Sequence, residues 1–221
     1  MPKTNTTIDL NSTDIFDIQR TMRAMRRLKP DPVPHQLIEK ILEAGVSAPN
    51  GGNAQTWRFL VVTDPEIKAA VQPYYKRAYD EVQKPRHDAQ KPKIPGKALD
   101  QHIRNESAIE SLTNHFHEAP VWIVACAKGA NSASSLSGAS VYPAVQNMLL
   151  AARALGLGAT LTARHIAFRG EVDTLLGLPE NVSSFAILPI GYPIGKFGPT
   201  RRAPLSEVVR INKWDNPWPG S

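Results

Sequence analysis

Apolar residues recur along this chain in two rhythms. Ile15, Ile18, Met22 and Met25 step by three and four behind Ser12 and Asp14, which predicts a helix with one buried stripe. Arg23 and Arg26 then fall together on another face of that helix. Pro34 opens a second predicted helix through Ile38, Ile41 and Leu42, ending at Gly45. Trp57 to Thr63 (WRFLVVT) has strand composition, and Asp64-Pro65 behind it is a helix start, so a third helix is expected towards Val82. Ala119 to Ala127 (APVWIVACA) reads as a buried strand. Tyr142 to Leu155 is apolar on most faces, as befits a central or subunit-interface helix. Leu157 to Thr162 and Phe185 to Gly191 are further strand candidates, with Gly156 as the cap that ends the helix before them.

Three stretches break these rhythms. Gln83 to Lys97 is charged and proline-rich, which predicts an exposed loop or lid. Lys128 to Gly138 is small and polar, and reads as a loop. From Tyr192 onward the chain is rich in proline, arginine and tryptophan, an extended tail expected to wrap over something. No repeat or linker divides the chain. The organisation expected is one domain over residues 1–221, with a variable lid at about 72–110 and a C-terminal arm at about 192–221.

Composition narrows the function classes. With 221 residues and 42% hydrophobic content the chain can bury a substantial core. The formal charge of +6 favours anionic partners but is common to phosphate-cofactor enzymes and nucleic-acid binders. A single cysteine, Cys126, excludes an intrachain disulfide and a cysteine metal cluster, and within an apolar strand it reads as an inert thiol. The polar start lacks a secretory pattern, and no apolar run approaches the roughly 20 residues a bilayer requires. A cytoplasmic protein with no membrane partner is expected.

The candidate chemistry lies in three places. Arg23, Arg26 and Arg27 near one end, and Arg201 and Arg202 near the other, carry planar forks suited to phosphate; a solvated face accounts for any single one of them as well. The loop Ala48-Pro49-Asn50-Gly51-Gly52-Asn53-Ala54-Gln55 combines close backbone approach with amides that donate and accept, which a heterocycle with imide and carbonyl edges needs; a tight turn explains the same residues. Gly156 to Thr162 lacks the order of a dinucleotide fingerprint, because its glycines follow a helix and open a strand. His115 and His117 have no metal spacing, and His165 reads as structural or substrate-adjacent. No nucleophile elbow is present.

Taken together, these segments resemble the nitroreductase family of flavoproteins. Met22-Arg23-Ala24-Met25-Arg26 is similar to the family's Arg-Arg-Ser-x-Arg segment, with Met22 and Ala24 as departures. Ser47 to Phe59 resembles the family's flavin loop, placing Asn53 on its asparagine, with Thr56 where proline is common. Ala144 to Ala152 followed by Leu155-Gly156-Leu157-Gly158 resembles its central helix, and Ile190-Gly191-Tyr192-Pro193 with Arg201-Arg202-Ala203-Pro204-Leu205 its closing strand and returning arginine. The match runs from about Asp14 to Val209 in the family's order.

The resemblance implies an α+β fold with a mixed, mainly antiparallel central sheet flanked by helices, and extended terminal arms in an intertwined homodimer. It implies FMN at the subunit interface, reduced by NADPH or NADH and reoxidised by a small electron-poor acceptor. Arg23, Ala24, Arg26, Arg201 and Arg202 would surround phosphate and ribityl groups; Pro49, Asn50, Gly51, Asn53, Gln55, Thr160, Leu161 and Thr162 would line the ring. No side chain is needed as acid or base, because the chemistry belongs to the cofactor. The same scaffold serves nitro and quinone reduction, dehalogenation and dehydrogenation. A flavin storage protein without turnover is a rival; a basic nucleic-acid binder is another, but lacks recognised motifs, so no nucleic-acid partner is expected.

Overall fold

The computed structural model describes residues 12–90, 96–129 and 133–219 of the chain. Helix α1, Ile15–Thr21, begins where the Asp14 carboxylate accepts from the amides of Phe16 and Asp17. It ends before its apolar rhythm does, and Met22 is already extended at φ −68°, ψ 118°. Two bonds account for the early end. Thr21 Oγ1 turns back onto the Asp17 carbonyl at 2.6 Å, and the Met25 amide, which a continued helix would give to Thr21, donates instead to Ala159 O at 3.0 Å. The helix expected through Met25 is thus corrected: Arg23 and Arg26 lie on an extended segment.

Strands β1 (Trp57–Val62), β2 (Val121–Lys128), β3 (Gly158–Ala159) and β4 (Val182–Gly191) form one sheet in the order β1-β2-β4-β3. The sheet, expected to be mixed and mainly antiparallel, is antiparallel at every pairing among the described residues. β2 was legible as a continuous apolar run because both its faces are covered. Ile123, Ala125 and Ala127 face α2 (His35–Val46) and α6 (Ser135–Ala154), while Trp122, Val124 and Cys126 face α3 (Pro65–Ala78) and α7 (Arg169–Leu175). A Cβ on Gly45 would fall 2.9 Å from Met148 Cγ, so glycine sets how closely α2 approaches α6.

Other boundaries shift for local reasons. Ser134 accepts from the Ser137 amide at 3.2 Å and starts α6 inside the stretch expected to be a loop. Residues 130–132 of that stretch lie outside the described ones. Gly156, at φ +76°, follows the C-cap of α6 as expected. The supposed lid loop is mostly helical: a π-helical turn at Tyr79–Gln83 leads into α4 (Lys84–Gln90), and α5 (Gly96–His115) follows the undescribed residues 91–95. Ion pairs four apart, Lys76–Asp80 at 2.6 Å, Arg77–Glu81 at 3.1 Å and Lys84–Asp88 at 3.3 Å, support these turns. Pro85 follows the π-helical turn, which Lys84 N closes onto Tyr79 O, so the irregular turn stands where a proline interrupts a helical ladder continuous from α3. After Tyr192 only the short α8 (Leu205–Val208) is helical among the described residues, in keeping with the extended tail expected.

His165 is structural. It is fully buried with Nε2 3.0 Å from Ser184 Oγ, and Ser184 Oγ in turn donates to Asp173. Burial, then the Arg169 charge, pushes the imidazole down to about 4. The folded chain therefore resists a proton that the unfolded chain accepts near pH 6.5, and stability falls as pH drops from there towards 4. Asp173, raised by burial, acts in the opposite sense at lower pH. Urea unfolding is expected to show about 2 kcal/mol less stability at pH 5 than at pH 7, with most of that dependence lost in His165→Gln.

Candidate functional site

The bond from the Met25 amide to Ala159 O lays the Arg23–Leu28 segment beside β3, so that Arg26 stands next to Thr160. Continuing the register from Ala159↔Ile190 puts Pro189 opposite Thr160. Proline offers no amide, and the ladder stops there. It resumes at Thr162, which exchanges backbone bonds of 3.0 and 2.9 Å with Ile187. This gap makes the expected strand over Leu157 to Thr162 only two residues long, and it leaves Thr160 to Ala163 lining a cavity of about 510 Å³. Cavities of that size hold small ligands and cofactors.

The opposite wall is held from the sheet. Trp122, Phe116 and Tyr75 stack with centroids 4.2 and 3.9 Å apart, and the Tyr75 hydroxyl lies 2.9 Å from Thr162 Oγ1. Burial pushes the Tyr75 phenol up, against the pull of Arg164. Arg164 donates to Thr113 Oγ1 and spans the rings of Tyr75 and Tyr79 at 5.1 and 4.9 Å.

Arg26 is half-buried on the near wall, and no hydrogen bond or ion pair to its guanidinium occurs among the described residues. Burial pushes its pKa down; Tyr75 and Glu106 act against that shift and Arg164 with it. The group keeps its charge at any ordinary pH. A desolvated, unpartnered guanidinium facing a cavity is a ready site for a carbonyl edge or an anion.

The predicted residues fall into three sets. Arg26, Thr160, Leu161 and Thr162 meet in the cavity. Arg23 and Ala24 are exposed on the same segment, outside its lining. Arg201 and Arg202 are exposed too, but a seam of backbone bonds carries the tail alongside that segment: Lys29 N to Tyr192 O at 2.8 Å, Ile194 N to Arg27 O at 3.1 Å and Thr200 N to Arg20 O at 2.8 Å. The two arginine groups are thereby drawn towards one end of the molecule. Pro49, Asn50, Gly51, Asn53 and Gln55 do not join the cavity within this chain. Their loop is nonetheless organised, with the Gln55 amide on Asn50 Oδ1 at 2.8 Å and the Gly51 amide on Ser140 Oγ at 3.3 Å. Gly52, Asn53 and Gln55 adopt φ of 57°, 52° and 49°. The left-handed backbone at two non-glycine positions is strain of the kind that collects at functional loops.

Sequence reasoning missed Tyr75, Gln83, Arg86, His87, Ile109, Leu112 and Arg164, all of which line the cavity. Once the segment is read as helix, Gln83, Arg86 and His87 at spacings of three and four form one face; the salt-bridge spacing from Lys76 to Asp88 was the available signal. His115, at the end of α5, is exposed with Nδ1 2.9 Å from Glu118. Burial pushes the Cys126 thiol up to about 12, which keeps it unreactive. Among the described residues no cluster could hold a metal ion, and no helix is long and apolar enough to cross a membrane.

Known proteins give these features a context. The model of the nitroreductase family matches residues 20–192. An NADH dehydrogenase of Thermus thermophilus is 29% identical over 85% of this chain and 90% of its own length. An iodotyrosine deiodinase of Thermotoga neapolitana is 27% identical over 88% of this chain and 95% of its own. The crystal structure of oxidized iodotyrosine deiodinase bound to FMN and 3-iodo-L-tyrosine superposes with a TM-score of 0.68 at 25% identity, covering 90% of this chain and all of that one.

The loop strain is directly measurable. Gln55→Gly should leave thermal stability unchanged or raise it by up to about 1 kcal/mol, whereas Gln55→Val, β-branched at a left-handed position, should lower it by roughly 1–3 kcal/mol. Equal stability of the two variants in thermal unfolding would contradict the strained loop.

Proposed function

This chain belongs to the nitroreductase family, and on that footing we propose that it binds FMN and passes electrons from NADPH or NADH to a small electron-poor acceptor, nitroaromatic or quinone-like. The observation that carries this reading is Arg26, half-buried and unpartnered beside the interrupted strand at Thr160 to Thr162. The residues present fit the group. A guanidinium fork and threonine hydroxyls suit the carbonyl and imide edge of a flavin, and the seam joining Thr200 to Arg20 brings Arg23, Arg201 and Arg202 within one charged neighbourhood for a phosphate. When bound, the flavin would supply two-electron transfer between nicotinamide and acceptor.

The chain's own groups position and exclude. Arg26 would hold positive charge against the ring's oxygen edge, raising its electron affinity. Thr160 to Thr162, fixed by Ile187 on one side and Tyr75 on the other, would set the ring's plane. Leu112 and Ile109 would keep that side of the cavity dry. Asn53 and Gln55 would contact the ring from the other subunit of a homodimer, since their loop does not line the cavity of its own chain. Exposed Phe16, Leu136, Tyr142, Leu205 and Val208 support such an interface. Likeness to iodotyrosine deiodinases makes reductive dehalogenation the second reading of the same flavin.

The absorbance spectrum of the purified protein, followed by anaerobic addition of NADPH and then NADH, tests the reading. A flavin band bleached by either nucleotide is expected. Flavin bleached by neither would point to another donor or a role without turnover, and no affinity for added FMN would overturn the reading. Arg26→Ala and Arg202→Ala should each raise the FMN dissociation constant about tenfold or more, the loss of one charged hydrogen bond; fluorescence titration reads it. Sedimentation at micromolar concentration should give the mass of two chains.

A further inference from the structure

With Arg26 assigned to the flavin, the cavity still holds more positive charge than that ring requires. Gln83, Arg86 and His87 present one face of the lid helices to it, and Arg164 stands on the far wall. Among the described residues no carboxylate lines the cavity. The acidic groups around it are already engaged or lie outside: Glu106 Oε2 is 2.9 Å from His87 Nδ1, Asp88 pairs with Lys84, and Glu110 is an exposed residue of α5 whose charge is felt at Tyr79. Arg164 is fixed by Thr113 and by the two tyrosine rings. Arg86, by contrast, is exposed, and no hydrogen bond or ion pair to it occurs among the described residues. A lid side chain with a free planar fork, beside an amide donor at Gln83, is suited to grip a small anion two-pronged.

We propose that this rim is an acceptor subsite, and that it selects electron-poor molecules carrying a carboxylate, held by Arg86 with Gln83 while the reducible group lies deeper. Arg164 adds positive potential from behind without moving. The inference rests on the flavin reading above, because the reducible group must lie against the ring assigned to the inner part of the cavity. The competing source of the same anionic chemistry is a phosphate of the nicotinamide donor, and separate half-reactions distinguish the two.

The test uses full-length, flavin-loaded protein. Benzoate is titrated into the oxidised form and followed by the flavin absorbance shift, which needs no turnover. Photoreduced protein is then reoxidised by 4-nitrobenzoate or by nitrobenzene, and the ratio of the two half-saturating concentrations gives the carboxylate preference. A preference for 4-nitrobenzoate is expected in the unaltered chain, weakening with added salt. Arg86→Ala should weaken benzoate binding about tenfold and cut the preference by a similar factor, and Arg86→Lys should restore part of both. A preference unchanged in Arg86→Ala would overturn the subsite, as would a loss confined to reduction by NADPH, which assigns the anion to the donor. Flavin uptake is measured first in every variant: a chain that takes up no FMN overturns the flavin reading itself, whereas normal uptake with no carboxylate preference overturns the subsite alone.

Discussion

One hydrogen bond, from the Met25 amide to the Ala159 carbonyl, decides what the N-terminal segment becomes. Had that amide gone to Thr21, α1 would have continued and its arginines would have pointed from a helix surface. Given to the sheet edge, it converts the segment into a border of β3 and sets Arg26 against Thr160. Pro189 completes the arrangement by withholding a donor where the next ladder bond would form. The cavity is the space that two withheld bonds create, one from a helix and one from a sheet.

How far the amino-acid order alone foretold this depends on whether the signal was local. Asp14, Asp64-Pro65, Gly156 and the run at Ala119 to Ala127 act through their immediate neighbours, and each element they mark is present. Thr21 is different: its partners are Asp17 and, across the molecule, Arg153, whose Nε donates to it at 3.0 Å. Nothing in the periodicity of Ile15, Ile18, Met22 and Met25 reports that distant arginine. The lid failed for another reason. Proline and charge at Gln83 to Lys97 suggested a loop, yet the helix passes Pro85 by way of the π-helical turn before it, and Lys84 and Asp88 are spaced to pair.

The candidate site divides along the same line. The resemblance of motifs put Arg26 at the phosphate and Thr160 to Thr162 at the ring, whereas in the structure all of them line one cavity. Tyr75, Arg86 and Arg164 belong to no motif quoted for the family and were invisible until α3, the π-helical turn and the strand gap were seen to share a cavity. Tyr75 is the most informative of these. Its ring belongs to the aromatic stack of the core and its hydroxyl to the cavity, so one residue transmits the packing of Trp122 and Phe116 to the strand at Thr162. Stability and site geometry are not separable there.

The seam between residues 20–29 and 192–200 gives the two chain ends a shared fate. Each end contributes one side of a row of backbone bonds and one group of arginines, and the N-terminal segment leans besides on β3 through Met25 and Ala159. A nick or truncation that frees the tail would also remove one of the two partners of the described N-terminal segment, although the two lie far apart in sequence. Such damage would reach the cavity without touching any residue that lines it. The β2 and β4 interior, whose bonds are made elsewhere, would remain paired. The molecule would then persist as a folded body with a disarmed rim, so that surviving secondary structure would be a poor guide to surviving function.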